Sequence, residues 1–436
     1  MDKKKKILLS VVSVIVVIVT FIAGFVVSRA TLNKDINDID YILSMYRRYY
    51  YDEQEDVISL FADALLDPYS DYYTAEEYNN IQAQDGGRRE GIGMSTINLT
   101  VVRVLGNSPA QNAGILEGDV VTAIRKNGEL DFVTVTTNSE LSTIYESIPD
   151  NQEFSIKVTR GGKEITCNLS RQAYIETFVK FKDKTGIYGF SNASGNMQMV
   201  KLAESDITED GVGYIDLDYF NGTAGGLNGV MGQFKAAMDK FKSSGLKTLI
   251  LDLRNNGGGF MHILQDIASY LVAAEENSRP CISIARDKYG NEELFNSQPI
   301  KYHKYGIQKI AVLANAGTAS ASEVLLGALL DYNSDLAIFV EAYNSANGKL
   351  YRTYGKGIMQ TTFERIGGGA IKLTTAKIFF PRSGLSIHGS GVTKDLNRFY
   401  PNKIYESDNS YQDALSFCIN MQAEKMLLEK YFLALH

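Results

Sequence analysis

Two stretches of the chain hold side chains able to act as a nucleophile and its base. Ala314-Asn315-Ala316-Gly317-Thr318-Ala319-Ser320-Ala321-Ser322-Glu323 carries a serine through a turn of small residues into an apolar run. Thr353-Tyr354-Gly355-Lys356-Gly357-Ile358-Met359-Gln360 holds a lysine between glycines, with a glutamine further on. A serine hydroxyl is a weak nucleophile near neutral pH and needs an adjacent base and N–H donors for the oxyanion it creates. We read Ser320 as the nucleophile and Lys356 as the base. A solvated lysine is protonated at neutral pH, so Lys356 has to lie among apolar groups that disfavour its ammonium form. Gly355 and Gly357 allow close backbone passage there, and Gln360 is placed to hydrogen-bond and orient the neutral amine. A further turn, Asp252-Leu253-Arg254-Asn255-Asn256-Gly257-Gly258-Gly259, follows one buried-strand pattern (Thr248–Leu253), as the serine turn follows another (Lys309–Ala314). Parallel strands would bring both turns to one edge of a sheet, where α/β sites form. The glycine turn would then add an oxyanion N–H to the free N–H groups at the helix start after Ser320. Singly, each of these signals is more often structural than catalytic; their conjunction points to acyl transfer.

The rest of the composition narrows the chemistry. At 436 residues the chain is too long for one core, and two or three domains are expected. With 44% hydrophobic and 22% charged residues it is globular rather than disordered. The net charge is -7 and the only basic block is at the extreme N-terminus, which argues against a nucleic-acid partner. The three cysteines, Cys167, Cys281 and Cys418, are far apart and form neither a disulfide framework nor a metal-ligand spacing. None of the four histidines (His262, His303, His388, His436) belongs to a His-Glu-x-x-His motif, which excludes a zincin, and their scarcity argues for a base other than histidine. No metal or cofactor is expected.

Lys3–Lys6 precede an uncharged apolar run, Ile7–Val27. The run is long enough to cross a hydrocarbon core of about 30 Å as a helix, and no Ala-x-Ala site closes it as in a signal peptide. Lysines before the run, with only Arg29 shortly after it, favour a cytoplasmic N-terminus. The expected arrangement is a single-pass anchor in the cell membrane with everything from about residue 30 extracytoplasmic.

The elements that must position the chemistry read as follows. Thr31–Gln82 has helical periodicity, broken at Asp67-Pro68-Tyr69-Ser70 and restarted by a capping-box pattern, Thr74-Ala75-Glu76-Glu77. Asp85-Gly86-Gly87 is a linker signal. Glu90–Gln172 shows short apolar runs between polar turns, with Arg160-Gly161-Gly162-Lys163 as a hairpin turn and a short helix starting at Ser108, and is a small β-rich domain. From Tyr174 strands and helices alternate, which argues for βαβ units. Tyr411–Leu435 is a terminal helix.

These motifs resemble the carboxyl-terminal processing peptidases, the tail-specific (S41) family of Ser-Lys serine peptidases. Leu66-Asp67-Pro68-Tyr69-Ser70 resembles the family's motif ahead of its PDZ domain. Gly91-Ile92-Gly93-Met94 resembles a PDZ carboxylate-binding loop, and Ser108-Pro109-Ala110 with Ala113-Gly114-Ile115 and Gly118-Asp119 is similar to the PDZ pattern. Gly213-Tyr214-Ile215-Asp216-Leu217 resembles the first core strand. Asp252–Gly259 resembles Asp-Leu-Arg-x-Asn-Pro-Gly-Gly, with Gly257 where proline is usual, and the segments at Ser320 and Lys356 resemble the catalytic motifs. The lysine follows the serine at an unusually long interval. The extra residues, around Tyr343–Arg352, read as a surface hairpin.

The resemblance implies an α/β and β multi-domain chain. Its parts would be a lysine block and transmembrane helix (1–29), a helical segment (30–88), a PDZ domain (89–172), an α/β (βαβ, crotonase-like) serine protease core (173–400) and a C-terminal helical tail (401–436). It implies Ser320 as nucleophile, Lys356 as base, Gln360 as its orienting partner, and Gly258 and Ala321 as oxyanion-hole donors. Gly91, Ile92, Gly93 and Met94 would bind a substrate carboxylate. Glu323 is read as favouring the helix N-terminus. The implied activity is a membrane-anchored serine endopeptidase acting on proteins through accessible C-termini, with terminal helices able to pair two copies. The alternative is a catalytically silent PDZ adaptor that scaffolds a membrane complex.

Overall fold

The computed structural model describes residues 34–49, 57–192, 196–345 and 348–419. The chain divides into two units, Met1–Leu65 and Leu66–His436. In the first, α1 (Lys34–Tyr49) and α2 (Val57–Leu65) are helices. The expected anchor, Ile7–Val27, lies outside the described residues, as does the terminal helix beyond residue 419. Among the described residues no helix is long and apolar enough to cross a membrane.

The second unit opens with β1 (Asp71–Tyr73) and α3 (Ala75–Asp85). Thr74 caps α3 in the expected capping box: its hydroxyl accepts from the Glu77 N–H, and the Glu77 carboxylate accepts from the Thr74 N–H. β1 is a strand that the helical periodicity does not announce. A small β domain follows, entered through β2 (Arg88–Gly91), with β3 (Met94–Ile97), β4 (Thr100–Val104), the one-turn α4 (Pro109–Asn112), β5 (Val120–Lys126), β6 (Val133–Thr134), α5 (Asn138–Glu146), β7 (Glu153–Arg160) and β8 (Lys163–Ser170). Its sheet runs β3-β4-β5-β7-β8. The turn between β7 and β8 is the expected hairpin: Arg160 pairs with Lys163, and Gly161 and Gly162 both have positive φ, as a two-residue turn matched to strand twist requires. Ile92, Val101, Ile124, Leu141, Phe154 and Ile156 meet in its core. β9 (Gln172–Ile175) returns to pair with β2 and leads into the next layer.

A mixed sheet forms the centre of the unit. Its antiparallel flank is β10 (Val179–Asp183), β11 (Gly186–Ser191) and β12 (Gln198–Ala203). Its middle comprises β13 (Val212–Leu217), helix α6 (Val230–Ser243), β14 (Thr248–Asp252), helix α7 (Met261–Leu271), a strand pair β15 (Cys281–Asp287) and β16 (Glu292–Asn296), β17 (Lys309–Ala314), helix α8 (Ala321–Tyr332) and β18 (Leu336–Ser345). β13, β14, β17 and β18 are parallel neighbours in that order, as the strand–helix alternation predicts. β14 is buried along its whole length and β17 at all but its first residue, which explains their unbroken apolar sequences. α8 is buried from Ala321 to Leu330, so its polar face is minimal and its start is fixed by packing on both sides.

The residues inserted after β18 form a hairpin with β19 (Gly348–Tyr351), in which Ala342 pairs with Tyr351. β20 (Ile358–Glu364) and β21 (Ala370–Phe379) then join β15, β16 and β1 in a second sheet, and β22 (Ile404–Ser407) lies parallel to β18. Residues 410–419 are helical, with Ala414 and Cys418 buried. The three cysteines are free thiols.

Candidate active site

The turns after β14 and β17 lie at the same sheet edge and are sewn together. Thr318 Oγ1 donates to the Leu253 carbonyl at 2.7 Å, the Ala319 N–H to the Asn256 carbonyl at 3.0 Å, and Ser322 Oγ to that same carbonyl at 3.0 Å. Asn315 and Asn255 exchange amide hydrogen bonds at 2.9 and 3.0 Å. Behind the glycine turn, Asp252 accepts from Tyr214 Oη at 2.7 Å and pairs with Arg254, which also reaches Glu341 at 2.7 Å.

Ser320 sits at the tip of its turn with φ 56° and ψ -119°, immediately before α8. A non-glycine residue in that region is strained and is held there by its surroundings. Here the Ala319 and Ser322 bonds and the buried helix supply the restraint. Gly258 packs directly against it: a Cβ on Gly258 would stand 2.8 Å from Ser320 Cβ and from Ala321 N, and the glycine has φ 103°, so no side chain fits. Among the described residues the Ala321 N–H has no protein acceptor. The expected donor at Gly258 is corrected. Its N–H is taken by Asn256 Oδ1 at 2.9 Å, because the buried Asn256 amide folds back over the turn. Gly257 and Gly259 line the cleft instead.

Lys356 lies across a cleft of about 940 Å³ that also exposes Ser320, Ala321 and Gln360. Burial pushes the Lys356 ammonium below its ordinary pKa, the nearby Lys372 charge pushes it further, and Asp67 and Glu323 oppose both. Its Nζ stands 5.3 Å from the centre of the Tyr69 ring, so the Asp67-Pro68-Tyr69-Ser70 segment forms one wall of the lysine's surroundings. Among the described residues no hydrogen bond joins the Ser320 and Lys356 side chains. Gln360 does not orient the lysine, contrary to expectation. Its amide donates to Thr374 Oγ1 at 3.1 Å across the β20–β21 pair, where Thr374 is its register partner.

Two residues that sequence reasoning left out of the chemistry stand beside it. Glu323 is fully buried, and its carboxylate accepts from the Ser320 N–H at 3.1 Å, the Gly355 N–H at 2.8 Å, the Lys356 N–H at 2.8 Å and the Thr353 hydroxyl. Thr353 Oγ1 itself accepts from the Val392 N–H, which leaves its proton for Glu323. Burial raises the Glu323 pKa and these donors hold it down. One carboxylate therefore fixes the serine turn and the lysine turn to each other. Its capping-box spacing from Ser320 was the only sequence signal. Lys372, on β21, lines the same cleft and donates to Tyr73 Oη at 2.6 Å.

Gly91, Ile92, Gly93 and Met94 line a separate groove of about 350 Å³ between β3 and α5, with Leu141, Tyr145 and Ile156 as apolar wall. The β domain touches the core near the glycine turn. Arg103 on β4 donates to Tyr219 Oη at 2.9 Å with its guanidinium 4.5 Å from that ring's centre, and the Tyr219 ring lies 3.4 Å from where a Cβ on Gly257 would be.

Residues 211–398 match Peptidase family S41. A probable CtpA-like serine protease of Staphylococcus epidermidis is 28% identical over 416 residues, covering 91% of this chain and 73% of that protein. Among solved structures, the photosystem II D1 C-terminal processing protease is similar with 22% identity and a TM-score of 0.46, over 84% of this chain and 86% of that one. A PDZ domain of a carboxy-terminal protease from Vibrio cholerae, in complex with peptide, aligns at 20% identity and a TM-score of 0.17, over 20% of this chain and 97% of that one.

Proposed function

We propose that this chain, whose residues 211–398 match Peptidase family S41, is a serine-type peptidase of the carboxyl-terminal processing kind, with a Ser320–Lys356 dyad held outside the cytoplasm by the Ile7–Val27 anchor, that cleaves proteins engaged through their C-termini. The observation that carries the dyad is the pairing, in one cleft, of a serine at φ 56° beside a free Ala321 N–H with a half-buried lysine whose pKa is depressed. Neutral Lys356 takes the Ser320 proton as Oγ attacks the scissile carbonyl. The oxyanion is met by the Ala321 N–H and by the N–H groups of the glycine turn at Gly257 and Gly259. Collapse of the tetrahedral adduct breaks the C–N bond, and the lysine's proton goes to the leaving amine. The neutral lysine then activates water to hydrolyse the ester and regenerate the serine. Since the two side chains are not hydrogen-bonded in this arrangement, a small closure of the cleft accompanies catalysis.

The groove at Gly91–Met94 is read as a PDZ-type reader of substrate C-termini, by addition of the peptide to the open edge of β3. One experiment tests the dyad and the topology together: spheroplasts carrying the full chain are given an unfolded protein from outside. Cleavage is expected, with loss of at least about a thousandfold in Ser320→Ala and in Lys356→Ala. Wild-type rates in either variant would sink the dyad, and activity appearing only after lysis would sink the orientation.

A further inference from the structure

Lys356 reaches the cleft with little to hold its amine. Gln360 is turned to Thr374. The Glu323 carboxylate accepts from backbone N–H groups and from Thr353. The Asp67 carboxylate closes the turn that follows it: Oδ1 accepts the Tyr69 and Ser70 N–H groups at 2.8 and 3.0 Å, and Oδ2 accepts the Ser70 hydroxyl at 3.2 Å. Among the described residues Lys356 Nζ has no hydrogen-bond or ion-pair partner. Its charge meets a ring instead, with Nζ over the face of Tyr69 at 5.3 Å from the centre. An ammonium within about 6 Å of an aromatic face is attracted by the ring quadrupole. A neutral amine, carrying no net charge, is attracted far less.

The ring is held in place by its own segment. Pro68 fixes the backbone ahead of it. Ser70 Oγ, which donates to Asp67, accepts the Thr374 N–H at 2.8 Å and so pins the turn to β21. β1 then pairs with the same strand, Asp71 opposite Lys372. Tyr69 is thus anchored immediately on both sides, by the Asp67 turn before it and the Ser70 and β1 bonds after it.

We propose that Tyr69 is a positioning residue for the base: its ring face holds the Lys356 side chain in the cleft and stabilises the ammonium that forms when Nζ takes the Ser320 proton. The proposal rests on the reading of Lys356 as that base. The charged groups acting on the amine are Lys372 from β21, Asp67 from the turn and Glu323 from α8, and altering the ring changes none of them. The ring favours the ammonium over the amine. Without it the free enzyme gives up the lysine proton at lower pH, and the transition state, in which the lysine carries the serine's proton, loses the same support. In more acidic solution the lysine is an ammonium in both states and the two losses cancel. The acidic arm of the rate profile therefore stays where it is while the plateau drops.

The test is the pH dependence of kcat/KM for the full chain on an unfolded protein. Tyr69→Phe keeps the ring face and is expected to stay within about twofold of the parent at every pH. Stepwise fluorination of that phenylalanine drains the quadrupole at nearly constant shape. With five fluorines the plateau is expected to fall about threefold, the midpoint of the acidic limb to move down by about half a pH unit, and the low-pH arms to superimpose. A plateau that does not respond to fluorination overturns the proposal, as does a midpoint that stays in place or moves to higher pH. A loss already complete at Tyr69→Phe overturns it too, because the effect would then belong to the hydroxyl. Lys356→Ala, measured in parallel, isolates the premise: cleavage at the parent rate there overturns the dyad and this proposal with it.

Discussion

In the proposed dyad the lysine has to be neutral before it can act, and its neighbours decide at what pH that happens. Lys356 is depressed first by burial and then by the Lys372 charge, while Asp67 and Glu323 pull the other way. Each positive charge removed from its surroundings stabilises the ammonium and raises the pKa. Replacing Lys372 by glutamine is thus expected to move the acidic limb of the kcat/KM–pH profile toward higher pH, with the plateau rate at alkaline pH largely retained. A profile that stays in place, or shifts to lower pH, would show that Lys372 does not tune the base. That Ser320 and Lys356 would share one cleft was legible in the sequence because each sits in a short local pattern of small residues. Lys372 was not, since it reaches the cleft from a strand whose register with β1 and β20 no local pattern specifies. Gln360 was misread for the same reason: four residues along a bulged strand sets no particular partner, and the cross-strand Thr374 claimed its amide.

Between elements, the long insertion ahead of Lys356 raised the question of whether the lysine turn is still held to the serine turn. The β18–β19 hairpin absorbs the extra residues, and the chain re-enters at Thr353, whose hydroxyl goes to Glu323. Because the tie runs through Glu323 and not through the hairpin, replacing residues 344–349 by a two-residue Asn-Gly turn is expected to leave kcat/KM within about twofold, consistent with the weak length dependence of loop closure. Glu323→Gln should cost far more. An amide presents an acceptor on one side only, so it strands at least one buried N–H among Ser320, Gly355 and Lys356, at about 1–3 kcal/mol each. At least about a tenfold fall in kcat/KM is expected with the hairpin intact. A shortened hairpin that abolishes activity, or a Glu323→Gln enzyme at full rate, would reverse this assignment. The parallel strands and the β7–β8 hairpin could be read from the sequence because burial and turn chemistry leave local marks. β1 and α5 could not. The first is three residues long and exists only through its partner β21, and the second buries a single residue, Leu141, so it lacks the apolar stripe that marks a helix.

At the scale of the whole second unit, the proposed reading of a C-terminus and the proposed cut have to communicate, and one side chain spans the distance. Arg103 belongs to the β domain, yet it bonds and stacks on Tyr219, and Tyr219 lies against Gly257 in the turn that lines the cleft. Asp218 is 3.7 Å from the same guanidinium. The domain is also seated at Gly106, where a Cβ would fall 2.3 Å from the Thr177 carbonyl oxygen, so the two layers meet backbone to backbone beside this arginine. Arg103 does not line the groove between β3 and α5. Truncating it should therefore leave peptide affinity for that groove unchanged while loosening the glycine turn proposed to supply oxyanion donors. Arg103→Ala is expected to lower kcat by about tenfold, the effect of weakening one such donor, with the Kd for a C-terminal decapeptide unaltered. Arg103→Lys should restore little of it, because an ammonium cannot both stack on the Tyr219 ring and bond its hydroxyl. Stopped kinetics on an unfolded protein, set beside polarisation with the same variants, separates the outcomes. A fall in affinity with kcat preserved would place Arg103 in binding alone, and a full rescue by lysine would mean that only its charge is used.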